Sequence, residues 1–192
     1  MTIGVWGDSI TFGSCDSEAL GWAGRLRKSL PTDDIRHLYN FGICGETSED
    51  LLKRFKIEAE AIEPTDIIFA IGINDSKYPG KTDTNKVSLT DYQSNLEELL
   101  AQAKVSTKKI TIIGATRVDE KWRSMRGSRF LNEEIQKYNA VMKETTDKHG
   151  LVFIDMFDVL DPTVDLADGL HPNVEGYRKM FEAIKAGVNF SG

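Results

Sequence analysis

Five residues of this chain carry groups that could together cleave a carboxyl ester. Such chemistry needs a nucleophile, a base that takes its proton, a group that orients the base, and donors for the oxyanion. Ser9 lies in a Gly-Asp-Ser turn after an apolar run and offers the nucleophile. His171 offers the base, and Asp168 precedes it closely enough to contact the same imidazole. Gly42 could donate a backbone N–H to the oxyanion, and Asn74 a side-chain N–H.

Each of these residues also has a structural interpretation. Small Gly-Asp-Ser turns end many strands for conformational reasons, and Asn74 could likewise be a turn residue. A role at a helix start would be an adequate explanation for His171. Asp168 has competitors, because three other aspartates of the acidic loop 155–168 could orient the imidazole: Asp158, Asp161 and Asp165. The two other histidines favour structural roles, His37 within a strand and His149 at a helix end.

Five apolar runs are typical of β-strands, and they alternate with helical patterns along the whole chain. We predict strands over residues 2–6, 35–41, 65–71, 109–114 and 151–154. The third run is apolar almost throughout, which suits a parallel strand buried on both faces. Ser9, Gly42 and Asn74 follow the first three strands.

Five longer segments have the apolar periodicity of amphipathic helices. They cover residues 21–30, 47–62, 90–104, 132–148 and 174–188. Thr47 with the acidic residues after it favours a helix start, and Thr90 with Gln93 resembles a capping box. Segment 76–88 is polar and favours a loop, and segment 116–129 lacks clear periodicity.

This alternation predicts an α/β fold, in a single domain over residues 1–192. Right-handed crossovers would give a five-stranded, mostly parallel sheet between two helix layers, a three-layer α/β/α architecture. In such sheets ligands bind beyond the carboxyl ends of the strands. The turns that hold the candidate residues all follow strands on that side, so the topology would gather them at one edge.

The composition excludes several classes of protein. The 24 Lys and Arg residues against 30 Asp and Glu residues give a net charge of −6, which argues against general nucleic-acid binding. No apolar run approaches the ~18 residues of a membrane span, and no signal-peptide pattern opens the chain, so we expect a cytoplasmic protein. No pattern in the sequence indicates an oligomeric state.

The two cysteines, Cys15 and Cys44, form neither a disulfide framework nor a metal-ligand cluster by their spacing. We expect two reduced thiols. Cys15 follows Ser9 closely and Cys44 follows Gly42, so both could line the same crevice. A cytosolic setting disfavours an oxidised pair.

Four stretches resemble, in this order, the conserved blocks of the SGNH hydrolases, also called GDSL-type esterases and lipases. They are Gly7-Asp8-Ser9-Ile10, Asn40-Phe41-Gly42 with Gly45, Gly72-Ile73-Asn74-Asp75 and Asp168-Gly169-Leu170-His171-Pro172. The blocks span nearly the whole chain, and their conjunction is far more specific than any one of them. Ile10 departs conservatively from the leucine of the family name.

The resemblance implies a flavodoxin-like sheet and a role for each matching residue. Ser9 would attack the acyl carbon, His171 would act as general base and then as acid, and Asp168 would orient His171. The backbone N–H groups of Ser9 and Gly42, with the Asn74 side chain, would form the oxyanion hole. The resemblance implies neither a metal nor an organic cofactor.

The substrate that these features favour is a small or short-acyl carboxylic ester, because the chain is compact and lacks a long apolar lid segment. Deacetylation of a carbohydrate is one form of this activity. An acyl thioesterase or a lysophospholipase is the alternative within the same family. A non-catalytic binding domain would be expected to lack one of the blocks. A nucleotide-binding flavodoxin-like protein would need a phosphate-cradling first loop, where this chain has Asp8.

Residues around the four blocks each allow two interpretations. The arginines of segment 116–129 could bind a carboxylate or phosphate on the substrate, or pair with the acidic surface: Arg117, Arg123, Arg126 and Arg129. Trp122 and Tyr78 could stack on a sugar or acyl group, or pack the loops. Asp8 and Asp75 favour turn-shaping roles over proton chemistry.

Overall fold

All five predicted strands are present and form one parallel sheet, which confirms the predicted α/β fold. The computed structural model describes residues 1–31, 37–125 and 127–188. Its strands are β1 (Thr2–Gly7), β2 (His37–Gly42), β3 (Asp66–Ala70), β4 (Ile110–Ile113) and β5 (Val152–Ile154). Neighbouring strands pair in parallel in the order β2-β1-β3-β4-β5. The predicted start of the second strand, residues 35–36, lies outside the described residues.

The five predicted helices are also present, together with two short helices that the sequence did not predict. The long helices are α2 (Gly21–Ser29), α3 (Ser48–Ile62), α5 (Leu89–Ser106), α6 (Asn132–Lys148) and α7 (Val174–Gly187). The short ones are α1 (Ser9–Phe12) and α4 (Ile73–Ser76), each directly after a strand end. Within the described ranges, no helix has both the length and the apolar character that crossing a membrane requires.

Two apolar clusters lie on opposite faces of the sheet. One joins Ile3 and Val5 of β1 to Trp22 of α2 and Tyr177 of α7. The other joins strand residues such as Phe69 to the inner faces of α3, α5 and α6. Successive strand residues point to opposite faces, so a parallel strand can serve both clusters only if it is apolar nearly throughout. The helices therefore form the two predicted layers, one on each face of the sheet. That residues 1–192 form one domain stays a prediction.

One predicted helix start is confirmed and another is wrong. Thr47 caps α3 in a complete capping box with Asp50. Thr90 does not cap α5, which begins at Leu89; the cap is Ser88, whose hydroxyl accepts the Asp91 N–H at 3.1 Å. The residue before the cap, Val87, is buried, and its carbonyl accepts a hydrogen bond from the Tyr138 hydroxyl.

The structural interpretation of the two other histidines agrees with their positions. His149 ends α6, and its Nε2 lies 2.6 Å from a carboxylate oxygen of Glu97 on α5. Its Nδ1 lies 2.6 Å from Lys104 Nζ. His37 is exposed at the first position of β2, at the opposite end of that strand from Gly42.

Candidate active site

Ser9 is held at the start of helix α1 by the turn that ends β1. Asp8 is the N-cap of α1, and its Oδ1 accepts the Ile10 N–H at 2.9 Å. As the first residue of a helix, Ser9 has a backbone N–H with no partner four residues earlier. Its hydroxyl and its backbone N–H therefore belong to the same rigid turn.

The loop before α7 brings His171 to Ser9. His171 Nε2 lies 3.0 Å from Ser9 Oγ, and His171 Nδ1 lies 2.8 Å from Asp168 Oδ2. The other carboxylate oxygen of Asp168 accepts the backbone N–H groups of Leu170, at 2.9 Å, and His171, at 2.7 Å. These bonds fix the carboxylate against the imidazole, so Ser9, His171 and Asp168 form one hydrogen-bonded chain.

The ionisation of Asp168 suits this arrangement. Burial on its own would raise the pKa of Asp168, but hydrogen bonds from the backbone and imidazole of His171 and from Leu170 lower it below its usual value. The carboxylate is thus ionised at neutral pH. It can hold the Nδ1 proton of His171 and leave Nε2 free to accept the proton of Ser9.

The three competing carboxylates of the acidic loop are engaged elsewhere. Asp158 forms an ion pair with Arg117. Asp161 accepts hydrogen bonds from the backbone and hydroxyl of Thr163, and Asp165 pairs with Lys179 at 2.7 Å. Asp168 is therefore the carboxylate of this loop that contacts the His171 ring.

Asn74 lies on helix α4, which follows β3, and its side chain has an unused donor. The residue is 6% exposed, and its Nδ2 has no hydrogen-bond partner among the residues that the structure describes. Its Oδ1 accepts a hydrogen bond from Lys77 Nζ at 3.3 Å. A buried amide nitrogen without a partner is costly, and this one remains available to bind a ligand.

Gly42 lies at the end of β2, but its N–H is already bonded. It donates to Asn40 Oδ1 at 2.9 Å, while Asn40 Nδ2 donates to the Thr11 carbonyl at 2.9 Å. A Cβ on Gly42 would lie 2.3 Å from the backbone nitrogen of Phe12, so glycine is needed for the close approach of β2 to α1. In this structure Gly42 packs the two elements together and is not a free donor.

Gly45, the other glycine of the same block, has a different environment. Its φ of +82° lies in the left-handed region that favours glycine, and nothing lies within 4 Å of the position that a Cβ would take. A side chain at this position would point into open space, and the residue itself is exposed.

Two buried carboxylates, Asp8 and Asp75, lie in the turns that hold Ser9 and Asn74. Burial raises the pKa of Asp8 to about 7 although the Ile10 N–H bonds its charged form, and burial raises the pKa of Asp75 to about 6. Asp75 accepts the Ser48 N–H at 3.0 Å and the Ser48 hydroxyl at 2.5 Å, which ties α4 to the start of α3. The hydrogen bonds of Asp8 to Ile10 and of Asp75 to Ser48 agree with the predicted turn-shaping roles of both carboxylates.

Replacing Asp8 with asparagine should flatten the pH dependence of stability. The pKa of Asp8 is about 7 when folded and near its ordinary 3.8 when unfolded, so the folded state binds the extra proton between these values. The free energy of unfolding should therefore fall as the pH rises through this window. From about pH 5 to about pH 8 we expect the wild-type Tm to drop by at least ~2–4 °C, which corresponds to ~1 kcal/mol.

Thermal unfolding followed by circular dichroism at several pH values checks this. Asp8→Asn should show a smaller drop, although Asp75 will contribute the remainder. Asp147→Asn is the matched control, because Asp147 is an exposed residue on α6. Equal slopes in the wild type and Asp8→Asn would contradict the elevated pKa.

Both cysteines are free, exposed thiols near the hydrogen-bonded chain. Cys15 Sγ lies 4.0 Å from Asp168 Oδ2, and Cys44 Sγ lies 3.3 Å from Ser14 Oγ. Burial, and then the negative charge of Asp168, raise the pKa of the Cys15 thiol. A thiol held protonated is a poor nucleophile, so this environment favours Ser9 over Cys15 in that role.

The flanking arginines that the structure describes are engaged within the chain. Arg117 lies over the Phe157 ring at 4.8 Å in addition to its pairing with Asp158. Arg129 pairs with Asp83 at 2.8 Å and lies over the Tyr78 ring at 4.6 Å. For Arg117 and Arg129 these contacts favour the ion-pair interpretation. Arg123 donates to the carbonyl oxygens of Glu120 and Trp122, and Arg126 lies outside the described residues.

The aromatic residue of the same segment also packs inward. The Trp122 ring lies 5.3 Å from the Phe130 ring, and Trp122 is partly buried against the apolar cluster of α2 and α7. Packing of the loop therefore accounts for Trp122 without a ligand.

Comparison with known proteins identifies the family. The model of the GDSL-like lipase/acylhydrolase family matches residues 5–179. The chain belongs to this family. It is an SGNH-type esterase, and the chemistry of the family is hydrolysis of carboxylic esters.

Individual relatives of this GDSL-like chain are distant. An acetylxylan esterase of Geobacillus stearothermophilus is 25% identical over 177 residues, which is 87% of this chain and 78% of the relative. A multidomain esterase of Ruminococcus flavefaciens is 40% identical over 52 residues, but the match spans only 26% of this chain and 7% of that protein. The crystal structure of Axe2, an acetylxylan esterase from Geobacillus stearothermophilus, shares the fold with a TM-score of 0.78 at 22% identity, over 99% of this chain and 94% of the other.

Sequence reasoning missed two residues that shape this GDSL-type site. Lys77 follows the third block and donates a hydrogen bond to the Asn74 side chain. The Asn40 side chain accepts the N–H of Gly42. Asn40 lies within the second of the four family blocks, which was a signal that it could have a role in the site. For Lys77 there was no signal, because a lysine in a polar loop is normally a solvated residue.

Proposed function

We propose that the protein is a serine esterase that removes short acyl groups, with acetyl groups on a carbohydrate as the leading substrate class. The observation that carries the mechanism is the chain of hydrogen bonds from Ser9 through His171 to Asp168, at 3.0 and 2.8 Å. The similarity to an acetylxylan esterase over 87% of the chain supports the substrate class.

The reaction would pass through an acyl-enzyme. Ser9 Oγ attacks the carboxyl carbon while its proton moves to His171 Nε2, and the carbonyl electrons move onto the oxygen. As the tetrahedral intermediate collapses, His171 returns that proton to the leaving alcohol. A water molecule then repeats the sequence on the acyl-serine and regenerates Ser9. Asp168 remains a carboxylate throughout and orients the imidazole.

The oxyanion would be held by donors from separate strand ends. The Ser9 N–H and the unused Asn74 Nδ2 supply two of them. The sequence predicted Gly42 as the third, and that role would require Asn40 to release the Gly42 N–H. Gly45 is the competing donor on the same loop, because it is an exposed glycine with a φ of +82°.

A small internal cavity lies next to the turn that holds Ser9. The cavity beneath helix α1, lined by Ile10, Trp22 and Ile73 among others, has a volume of only about 20 Å³. That is room for about one water molecule. Neither Ser9 nor His171 lines this cavity, so it does not set the length of the acyl group, and the similarity to an acetylxylan esterase carries the preference for short acyl groups.

Turnover of an acyl series tests the proposal. We expect p-nitrophenyl acetate to be cleaved faster than the butyrate and octanoate, acetate to be released from acetylated xylo-oligosaccharides, and long-chain acyl-CoA to react poorly. Ser9→Ala is the control for each substrate. A fluorophosphonate should label the wild type and leave Ser9→Ala unlabelled. Faster cleavage of long-chain thioesters would overturn the substrate class, and undiminished turnover by Ser9→Ala would overturn the mechanism.

Replacing Lys77 with methionine should lower kcat about tenfold, equivalent to ~1.4 kcal/mol, with little change in KM. Lys77 Nζ bonds the Oδ1 of Asn74, which turns Nδ2 toward the oxyanion and polarises the amide. Lys77→Arg keeps the charge and should retain more activity. Lys81→Met, an exposed lysine on the same loop, is the control. A loss that appears only in KM would contradict action through Asn74.

A further inference from the structure

Cys15 joins the Asp168–His171 pair in a mixed set of side chains that can bind a metal ion. Cys15 Sγ, Asp168 Oδ2 and His171 Nδ1 all lie within 4.8 Å of one another. The thiol and the carboxylate oxygen are 4.0 Å apart, and the carboxylate oxygen and the imidazole nitrogen are 2.8 Å apart. Spacing along the sequence could not reveal this set, because Cys15 reaches it from the opposite end of the chain.

These three atoms have the chemistry of a zinc site. Sulfur, imidazole nitrogen and carboxylate oxygen bind Zn²⁺ at about 2.0–2.3 Å. Tetrahedral geometry then places the ligand atoms roughly 3.3–3.6 Å from one another. The observed distances of 2.8 and 4.0 Å lie on either side of that range. Cys15 Sγ and His171 Nδ1 also lie within 4.8 Å of each other, and movement of the carboxylate and the exposed thiol would bring the three atoms into that range.

We propose that Cys15, Asp168 and His171 form an inhibitory site for a thiophilic divalent metal ion of the zinc class. One thiolate and one carboxylate balance the two positive charges, and the imidazole binds as a neutral ligand. The exposure of both Cys15 and Asp168 leaves the fourth position to water and gives the ion a path from solvent. The binding site is independent of the proposed function; its inhibitory effect rests on that function.

Inhibition follows from the proton balance of His171. A metal ion on Nδ1 takes the place of the proton shared with Asp168, and the single proton of the neutral imidazole then lies on Nε2. That nitrogen faces Ser9 Oγ at 3.0 Å and can no longer accept the serine proton. The Cys15 thiol loses its own proton to solvent as the metal–sulfur bond forms. Removal of the ion by a chelator reverses each change.

Cobalt(II) is the probe for binding, because a Co²⁺–thiolate bond gives a charge-transfer band that neither free Co²⁺ nor a carboxylate site gives. The full-length wild type and Ser9→Ala should both develop the band, saturate near one equivalent, and lose the band when Zn²⁺ is added. Cys15→Ser should show no band. Cys44→Ser is the matched control and should retain it, since Cys44 is the other free thiol.

Inhibition is measured with p-nitrophenyl acetate, relative to the metal-free rate of each protein. The Zn²⁺ concentration for half-inhibition should rise at least about tenfold in Cys15→Ser and stay unchanged in Cys44→Ser. Absence of the cobalt band in the wild type and Ser9→Ala, or its persistence in Cys15→Ser, would overturn the site. A cobalt band without inhibition would overturn the inhibitory role. If Ser9-dependent turnover were absent while the band was present, the proposed function would fail and the metal site would stand.

Discussion

Ser9→Ala and His171→Ala should each lower kcat by about 10⁴–10⁶, and the double variant should be no slower than the slower single variant. The reason is that the serine hydroxyl and the imidazole act as one unit. Ser9 Oγ is a nucleophile only when Nε2, 3.0 Å away, accepts its proton. Once either group is lost, removing the other removes nothing further.

Kinetics with p-nitrophenyl acetate, measured for both single variants and the double variant, check this expectation. Ser14→Ala is the matched control for the hydroxyl, because Ser14 lies nearby and bonds Cys44. His37→Ala is the control for the imidazole, because His37 is exposed at the far end of β2. A double variant slower than the wild type by the product of the two single effects would mean that the two groups act independently.

Asn74→Ala should lower kcat by about 10²–10³ while KM changes little. The buried Nδ2 of Asn74 has no partner in the described part of the chain, so its hydrogen bond is available to the charge that develops on the oxyanion. Asn85→Ala is the matched control, since Asn85 lies on the following loop and bonds the Ser76 carbonyl at 2.7 Å. A loss confined to KM would indicate ground-state binding instead.

A crystal structure of the Ser9 phosphonate adduct would complete this test. The phosphonyl oxygen should lie about 2.7–3.1 Å from Asn74 Nδ2 and from the Ser9 backbone nitrogen. The same structure decides between Gly42 and Gly45, because only the true donor will lie within this distance. An Asn74 amide turned away from the phosphonyl oxygen would contradict its role as a donor.

The fold was predictable because its signals are long and repetitive. Helices such as α3 and α6 show several turns of apolar periodicity, and β3 is apolar enough to identify a strand buried on both faces. The meeting of distant candidate residues also followed from topology, since parallel strands end at one edge of the sheet.

What the sequence did not reveal depends on single contacts. Helices α1 and α4 have four residues each, which is too few for any periodicity to appear. Ser88 and Thr90 each precede a polar residue by three positions, Asp91 and Gln93, so the sequence pattern alone does not distinguish the two candidate caps. Whether the N–H of Gly42 is free depends on the rotamer of Asn40, which no sequence pattern records.

The unpaired Nδ2 of Asn74 places activity and thermal stability in opposition. Leaving such a donor buried and unsatisfied costs a folded protein ~1–3 kcal/mol, a cost that an apolar side chain of similar shape would not carry. Selection for thermal stability alone would therefore favour replacement of Asn74 and enrich variants that are more stable but inactive. Engineering of this esterase for higher temperature therefore has to retain Asn74 and to screen each variant for turnover as well as for stability. Stabilising substitutions have to be sought elsewhere in the sheet and helices.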